Sequence, residues 1–202
     1  MYSNSYKYID PDQTYTDPIT GILKNLQGIK DPDVLLFVES SAVTKRLQQL
    51  YDNPIEIKDS NSLLVIHHYL FQDVYAWAGK VRTVNIYKDG KPFFNGERFS
   101  MGFQYIDTLI NDYRNIEKLN KEALASKLSE ILDNINFLHP FREGNGRTQR
   151  EFLRLLALEK GLTLNLNPPD NKDVYDKYMK GTIEGDLKIL TELILESINL
   201  EN

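Results

Sequence analysis

The chain has 202 residues, no cysteine, 24 Lys+Arg against 29 Asp+Glu and a net charge of −5. That length suffices for one domain with a full core, and 41% hydrophobic with 26% charged residues is ordinary for a globular protein. The acidic balance excludes a general basic surface for nucleic acid. The absence of cysteine excludes disulfides and thiolate chemistry, and no run of about eighteen apolar residues offers a membrane span.

The stretch from Met1 to Tyr15 has no apolar signal-peptide region, so a cytoplasmic protein is expected. Residues 1–30 read as an irregular lead-in, with turn signals at Asp10-Pro11, Asp17-Pro18 and Gly21. Asp31-Pro32 then offers an N-cap and a first-turn proline. Behind it Val34, Leu35, Val38, Ala42, Leu47 and Leu50 form a helical stripe. A second helix is predicted from Asp59 or Ser60 to about Trp77, with Gly79 as its stop. Val81 to Tyr87 alternates and is β-branched, Asp89-Gly90 is a two-residue turn signal, and Lys91-Pro92-Phe93-Phe94 leads away. That predicts one short hairpin and no other β-structure. Met101 to Tyr113 marks a third helix, Leu124 to Leu138 a fourth, and a fifth runs from near Gly146 to Gly161. Pro168-Pro169-Asp170 opens a shorter helix, and Leu187 to Ile198 is the last. The expected fold is all-α, mostly helical, with one short β-hairpin. It forms a single domain over 1–202, with a core at about 60–165, the lead-in at 1–30 and C-terminal helices over 170–200.

Chemistry concentrates between the fourth and fifth helices, in His139-Pro140-Phe141-Arg142-Glu143-Gly144-Asn145-Gly146-Arg147 and Arg150. His139 can take a proton from a hydroxyl at neutral pH. A single carboxylate such as Glu143 is a usual way to hold an Mg²⁺ that also touches substrate phosphates. Gly144 and Gly146 allow backbone to approach an anion closely, Asn145 between them can donate an amide hydrogen bond, and a helix start is a ready anion site. Arg147 and Arg150 share one face at i, i+3 and can fork onto phosphate oxygens. Each feature alone has a structural explanation. Together they point to a nucleotide's phosphates, a metal and a base. Tyr175 and Tyr178 either line an adenine pocket or, at i, i+3, belong to the core, and His67 reads as a buried, hydrogen-bonded histidine.

The stretch matches His-x-Phe-x-(Asp/Glu)-Gly-Asn-Gly-Arg-x-x-Arg at every specified position, and in this the chain resembles the Fic family. Ile66 to Arg82 is similar to the helix and strand that lead into that family's flap hairpin. Tyr15 to Gly21, with Asn25-Leu26 and Gly28 to Asp31, resembles the lead-in of its toxin-type members. The resemblance implies a protein adenylyltransferase that moves AMP from ATP to a Tyr, Ser or Thr hydroxyl of a target protein and releases pyrophosphate. It implies His139 as base, Glu143 on Mg²⁺, Gly144-Asn145-Gly146 as anion hole with Asn145 on the α-phosphate, and Arg147 and Arg150 on the β- and γ-phosphates. The exposed strand at 81–87 would pair with an extended target segment, with Lys88, Phe93 and Phe94 as target contacts at the hairpin tip.

Family members are silenced by a helix bearing Ser/Thr-x-x-x-Glu-Gly/Asn, whose Glu competes for the second arginine, here Arg150. A separate small antitoxin is the expected source of that helix. The alternative is self-inhibition through Ser197 to Asn202, which matches at the end of this chain. Other donors (UMP, phosphocholine or phosphate) and a non-catalytic binding module are the competing readings of the function.

Overall fold

Asp31 starts the helical part of the chain as its sequence predicts. Its carboxylate accepts from the Asp33 and Val34 N–H groups, Pro32 fills the first turn, and α1 runs Pro32–Asp52. The structure, a computed structural model, describes residues 6–8, 13–88, 91–167 and 170–200. The expected turns at Asp10-Pro11 and Asp89-Gly90, the Pro168-Pro169 helix opening, the Lys88 side chain and Glu201-Asn202 lie outside the described residues.

Among the described residues six further α-helices follow: α2 Ser62–Phe71, α3 Phe99–Asn115, α4 Lys121–Leu138, α5 Asn145–Glu159, α6 Lys172–Glu184 and α7 Leu187–Ser197. The all-α, mostly helical expectation therefore holds. The helix α4 is the spine, packed against α3, α5 and α7, while α2 bridges α1 and α5. Leu124, Leu128, Ile131 and Leu132 of α4 have no exposed surface. Burying each such side chain contributes about 1.5–3 kcal/mol, so the spine is fixed where its last residue meets the site.

Two elements are shorter than their patterns predict. The second helix ends at Phe71 rather than near Trp77, because the carbonyls that would continue it are claimed elsewhere. Val74 O accepts from Leu26 N at 2.8 Å, and Asp73 O accepts from Gln27 Nε2 at 2.6 Å. Turns then carry the chain to Gly79 at φ +78°, where a Cβ would stand 2.7 Å from that of His68. The strand expected over 81–87 forms only at β2, Ile86–Lys88. Upstream of it Arg82 N donates to Pro140 O at 2.8 Å and Thr83 N to the Tyr15 hydroxyl at 3.0 Å, so those groups are not free for a ladder.

The hairpin is present, but it has company. The strand β1, Tyr6–Tyr8, lies within the lead-in read as irregular and pairs antiparallel with β2, with Tyr6 opposite Lys88 and Tyr8 opposite Ile86. On the other side β2 pairs with β3, Lys91–Pro92. A second, two-stranded sheet joins β4, Leu162–Thr163, to β5, Asn199–Leu200. This pairing turns the chain extended directly after Ser197, so residues 198–200 do not continue α7 as the inhibitory-helix match at Ser197 to Asn202 requires.

Candidate active site

His139 ends α4 in the left-handed conformation, φ 44° and ψ 59°, while its N–H still reaches Ile135 O at 3.0 Å. A side chain there costs roughly 1–2 kcal/mol. Nδ1 of His139 lies 3.2 Å from Asn136 O. A carbonyl only accepts, so Nδ1 carries a proton, and in the neutral ring the lone pair then falls on Nε2, the tautomer a general base needs. The Phe93 ring stacks on the imidazole at 4.0 Å and 24°, and His139 is only 7% exposed.

The loop that follows is clamped by its own asparagine. Asn145 Oδ1 accepts from Phe141 N at 2.9 Å, and Asn145 Nδ2 donates to Phe141 O at 2.8 Å. Both ends of the carboxamide thus fix the loop's shape. Gly144 sits at φ +80° before α5, and a Cβ on it would fall 2.3 Å from the Phe71 ring. Gly146 differs: it lies in the first turn of α5 without a positive φ, so no backbone conformation requires glycine there. No side chain caps α5. The N–H groups of Asn145, Gly146 and Arg147 in its first turn therefore have no carbonyl within the helix, which is the setting in which helix starts bind anions.

A buried histidine supports this loop from below. Gly79 N donates to His67 Nδ1 at 2.8 Å, so the proton is on Nε2, which donates to Glu143 O at 3.0 Å. Burial pushes the His67 imidazole down to about 3, with the Arg147 charge adding to the effect and the Glu143 hydrogen bond opposing it. The ring stacks on Phe141 at 3.8 Å. The side chain of Glu143 turns outward. Its Oε1 accepts from Gly144 N at 2.9 Å and lies 3.8 Å from Arg147 Nη2, and nothing among the described residues pairs with Oε2.

The two signature arginines are held differently. Arg147 Nη2 pairs with Glu39 Oε1 of α1 at 2.6 Å, and its guanidinium lies 4.7 Å over the Phe71 ring. Glu39 is 6% exposed and also accepts from the Tyr75 hydroxyl. Arg150 takes no ion pair among the described residues. It lies 5.6 Å from the centre of Tyr175 and 5.0 Å from that of Tyr178. A groove of about 300 Å³ opens beside both arginines, with Ser40, Val43 and Leu47 on one wall and Asn165 on another.

The structure thus brings His139, Glu143, Gly144, Asn145, Gly146, Arg147 and Arg150 to one place. Not all the others fall where the sequence suggested. Tyr178 is 1% exposed, and its hydroxyl is engaged by Gln149, so it takes the core placement of the two expected for it, while half-buried Tyr175 flanks Arg150. Phe93 covers His139, and Phe94 packs against Phe137 at 5.7 Å while its N–H bonds to Phe137 O at 3.0 Å. Neither is a free hairpin-tip contact. The strand β2 lies between β1 and β3 and has no open edge of its own.

Glu39 and Tyr75 escaped the sequence reading. The signal for Glu39 was a charged residue four positions from both Leu35 and Val43, on the buried stripe of α1. Tyr75 carried none.

Residues 58–157 match the profile of the Fic/DOC family. "Probable protein adenylyltransferase y4lH" of Sinorhizobium fredii is 33% identical over 192 residues, covering 90% of this chain and 93% of that protein. This chain belongs to the Fic/DOC family. Protein adenylyltransferase VbhT of Bartonella schoenbuchensis is 36% identical over 169 residues, or 83% of this chain but 35% of that protein, so the chain spans about a third of the length of that relative. In fold it is similar to the BepC effector protein of Bartonella tribocorum, solved with bound AMPPNP, at a TM-score of 0.79 and 24% identity, covering 94% of this chain and 98% of that one. Among the described residues no helix is long and apolar enough to cross a membrane.

Proposed function

We propose that this chain is a protein adenylyltransferase that moves AMP from ATP to a Tyr, Ser or Thr hydroxyl of a target protein, with release of pyrophosphate. The observation that carries the reading is the start of α5, uncapped by any side chain among the described residues, which carries Arg147 and Arg150 and follows directly on Glu143 and on His139 with its Nδ1 proton held by Asn136 O. His139 Nε2 takes the proton of the target hydroxyl as its oxygen attacks the α-phosphorus. The first-turn N–H groups of α5 hold the α-phosphate oxygens, and Arg147 and Arg150 take the β- and γ-phosphates. Asn145 acts by clamping that loop. Its amide is already committed to Phe141, so it serves the α-phosphate through the backbone it fixes.

The residues fit Mg²⁺. Glu143 offers one outward carboxylate with an uncommitted oxygen, and Mg²⁺ characteristically takes one or two carboxylates and completes its shell with water and substrate phosphates. Bound there, the ion would neutralise phosphate charge.

Intact Gly144-Asn145-Gly146 favours AMP over UMP, phosphocholine or phosphate as the group moved. A small antitoxin supplying an inhibitory glutamate to Arg150 remains the regulatory reading, and the groove beside Arg147 and Arg150 supports it. The chain acts in a cytoplasm, its own or that of a cell into which it is exported.

Incubating cell lysate with α-labelled ATP should label a discrete protein with the native chain and none with His139→Ala. A target effect that His139→Ala leaves intact would instead make the chain a binding module.

A further inference from the structure

Positions 82, 84 and 86 turn inward together, with Arg82 at 3%, Val84 at 9% and Ile86 at 1% exposure. A guanidinium therefore stands where the alternation places an apolar side chain. A buried charge needs partners, and among the described residues no carboxylate supplies one. Three backbone carbonyls do. Arg82 Nε donates to His139 O at 2.8 Å, Nη1 to Val84 O at 2.6 Å and Nη2 to Phe94 O at 2.6 Å. The guanidinium lies 4.9 Å over the Phe99 ring, and the Arg82 N–H reaches Pro140 O at 2.8 Å.

Those carbonyls belong to three segments: the base itself, the stretch entering the hairpin and the stretch leaving it. Burial draws the guanidinium down to about 10, so it stays charged at neutral pH. A guanidinium offers its donors in a fixed planar fork spread over three nitrogens, a geometry that the compact ammonium of lysine does not reproduce. Holding His139 O favours the left-handed backbone that aims the imidazole, and holding Phe94 O fixes the residue next to Phe93, whose ring lies on that imidazole.

We infer that Arg82 is a positioning residue that ties the hairpin to His139, so that a target segment docked on the hairpin meets the base in a fixed register. The inference rests on the transfer reading above.

Arg82→Lys tests it, because the charge stays while the fork is lost. The chain has only three histidines, so each ring gives its own NMR signal. In Arg82→Lys the His139 signal should move while those of His67 and His68 stay. The maximal rate of label transfer from α-labelled ATP in lysate should fall at least about tenfold, with the KM for ATP and the Kd for AMPPNP changed by less than about twofold. An unmoved His139 signal, an unchanged rate, or AMPPNP affinity lost in step with rate would overturn the inference. So would loss of the helical circular dichroism in both Arg82→Lys and the second variant, Arg82→Gln, since Arg82 would then be an element of stability. A native chain that transfers no label would remove the transfer reading alone, because the NMR signal reads positioning without activity.

Discussion

The two glycines of the signature do different work, and single substitutions separate them. At Gly144 a Cβ meets both a positive φ and the Phe71 ring at 2.3 Å. Gly144→Ala should therefore lose about 2 kcal/mol or more of stability in urea unfolding. At Gly146 a Cβ meets only Arg150 Nη1 at 3.4 Å and the Tyr178 hydroxyl at 3.8 Å. Gly146→Ala should stay within about 1 kcal/mol of the native chain while weakening AMPPNP binding, because the Cβ stands beside the first-turn N–H groups. Equal destabilisation by both would contradict this division. The motif made every candidate residue from His139 to Arg150 legible, because its order encodes a loop, a helix start and their charges. It was silent on what holds them. Glu39, Tyr75 and Arg82 come from distant segments: local pattern marks Glu39 and Arg82 as charges at buried positions, but their partners are tertiary contacts that it does not specify. Asn145 shows the same limit: its type announced a hydrogen-bonding amide, but only the fold shows the amide turned onto Phe141.

Among the elements, the helices were readable wherever an apolar stripe and a cap agreed, as at Asp31 and along α4. They were misread where distant donors took the carbonyls that would continue a helix, which is why α2 stops at Phe71. The hairpin was announced by β-branched alternation, but its third strand was not, since the three residues of β1 are too short to give a period. That strand matters for docking. A target segment can join the sheet along β3, or it can replace β1 on β2. Deleting residues 1–12 opens the β2 edge. If targets use that edge, label transfer to protein should rise at fixed ATP concentration. A drop in transfer, with melting unchanged, would show instead that β1 forms part of the docking surface.

At the scale of the whole molecule, the site and the core share one titrating group. His67 has no exposed surface, stacks within the aromatic cluster and holds Glu143 O, so the loop is built directly on the core. Its pKa falls from 6.5 to about 3 on folding. Between those values the unfolded chain binds the extra proton, so this contribution to stability is complete above about pH 6.5 and declines as pH falls toward 3, by about 1.4 kcal/mol per unit for one group. Urea midpoints measured from pH 7 to 4 should fall accordingly, and His67→Gln should flatten the slope. An unchanged slope in that variant would place the acid sensitivity elsewhere. Paired labelling separates AMP transfer dependent on His139 from every other reading of the site. With α-labelled ATP the native chain should mark a target protein, with γ-labelled ATP it should not, and His139→Ala should mark nothing with either. Label arriving from the γ-position, or α-label surviving His139→Ala, would rule out AMP transfer by this histidine.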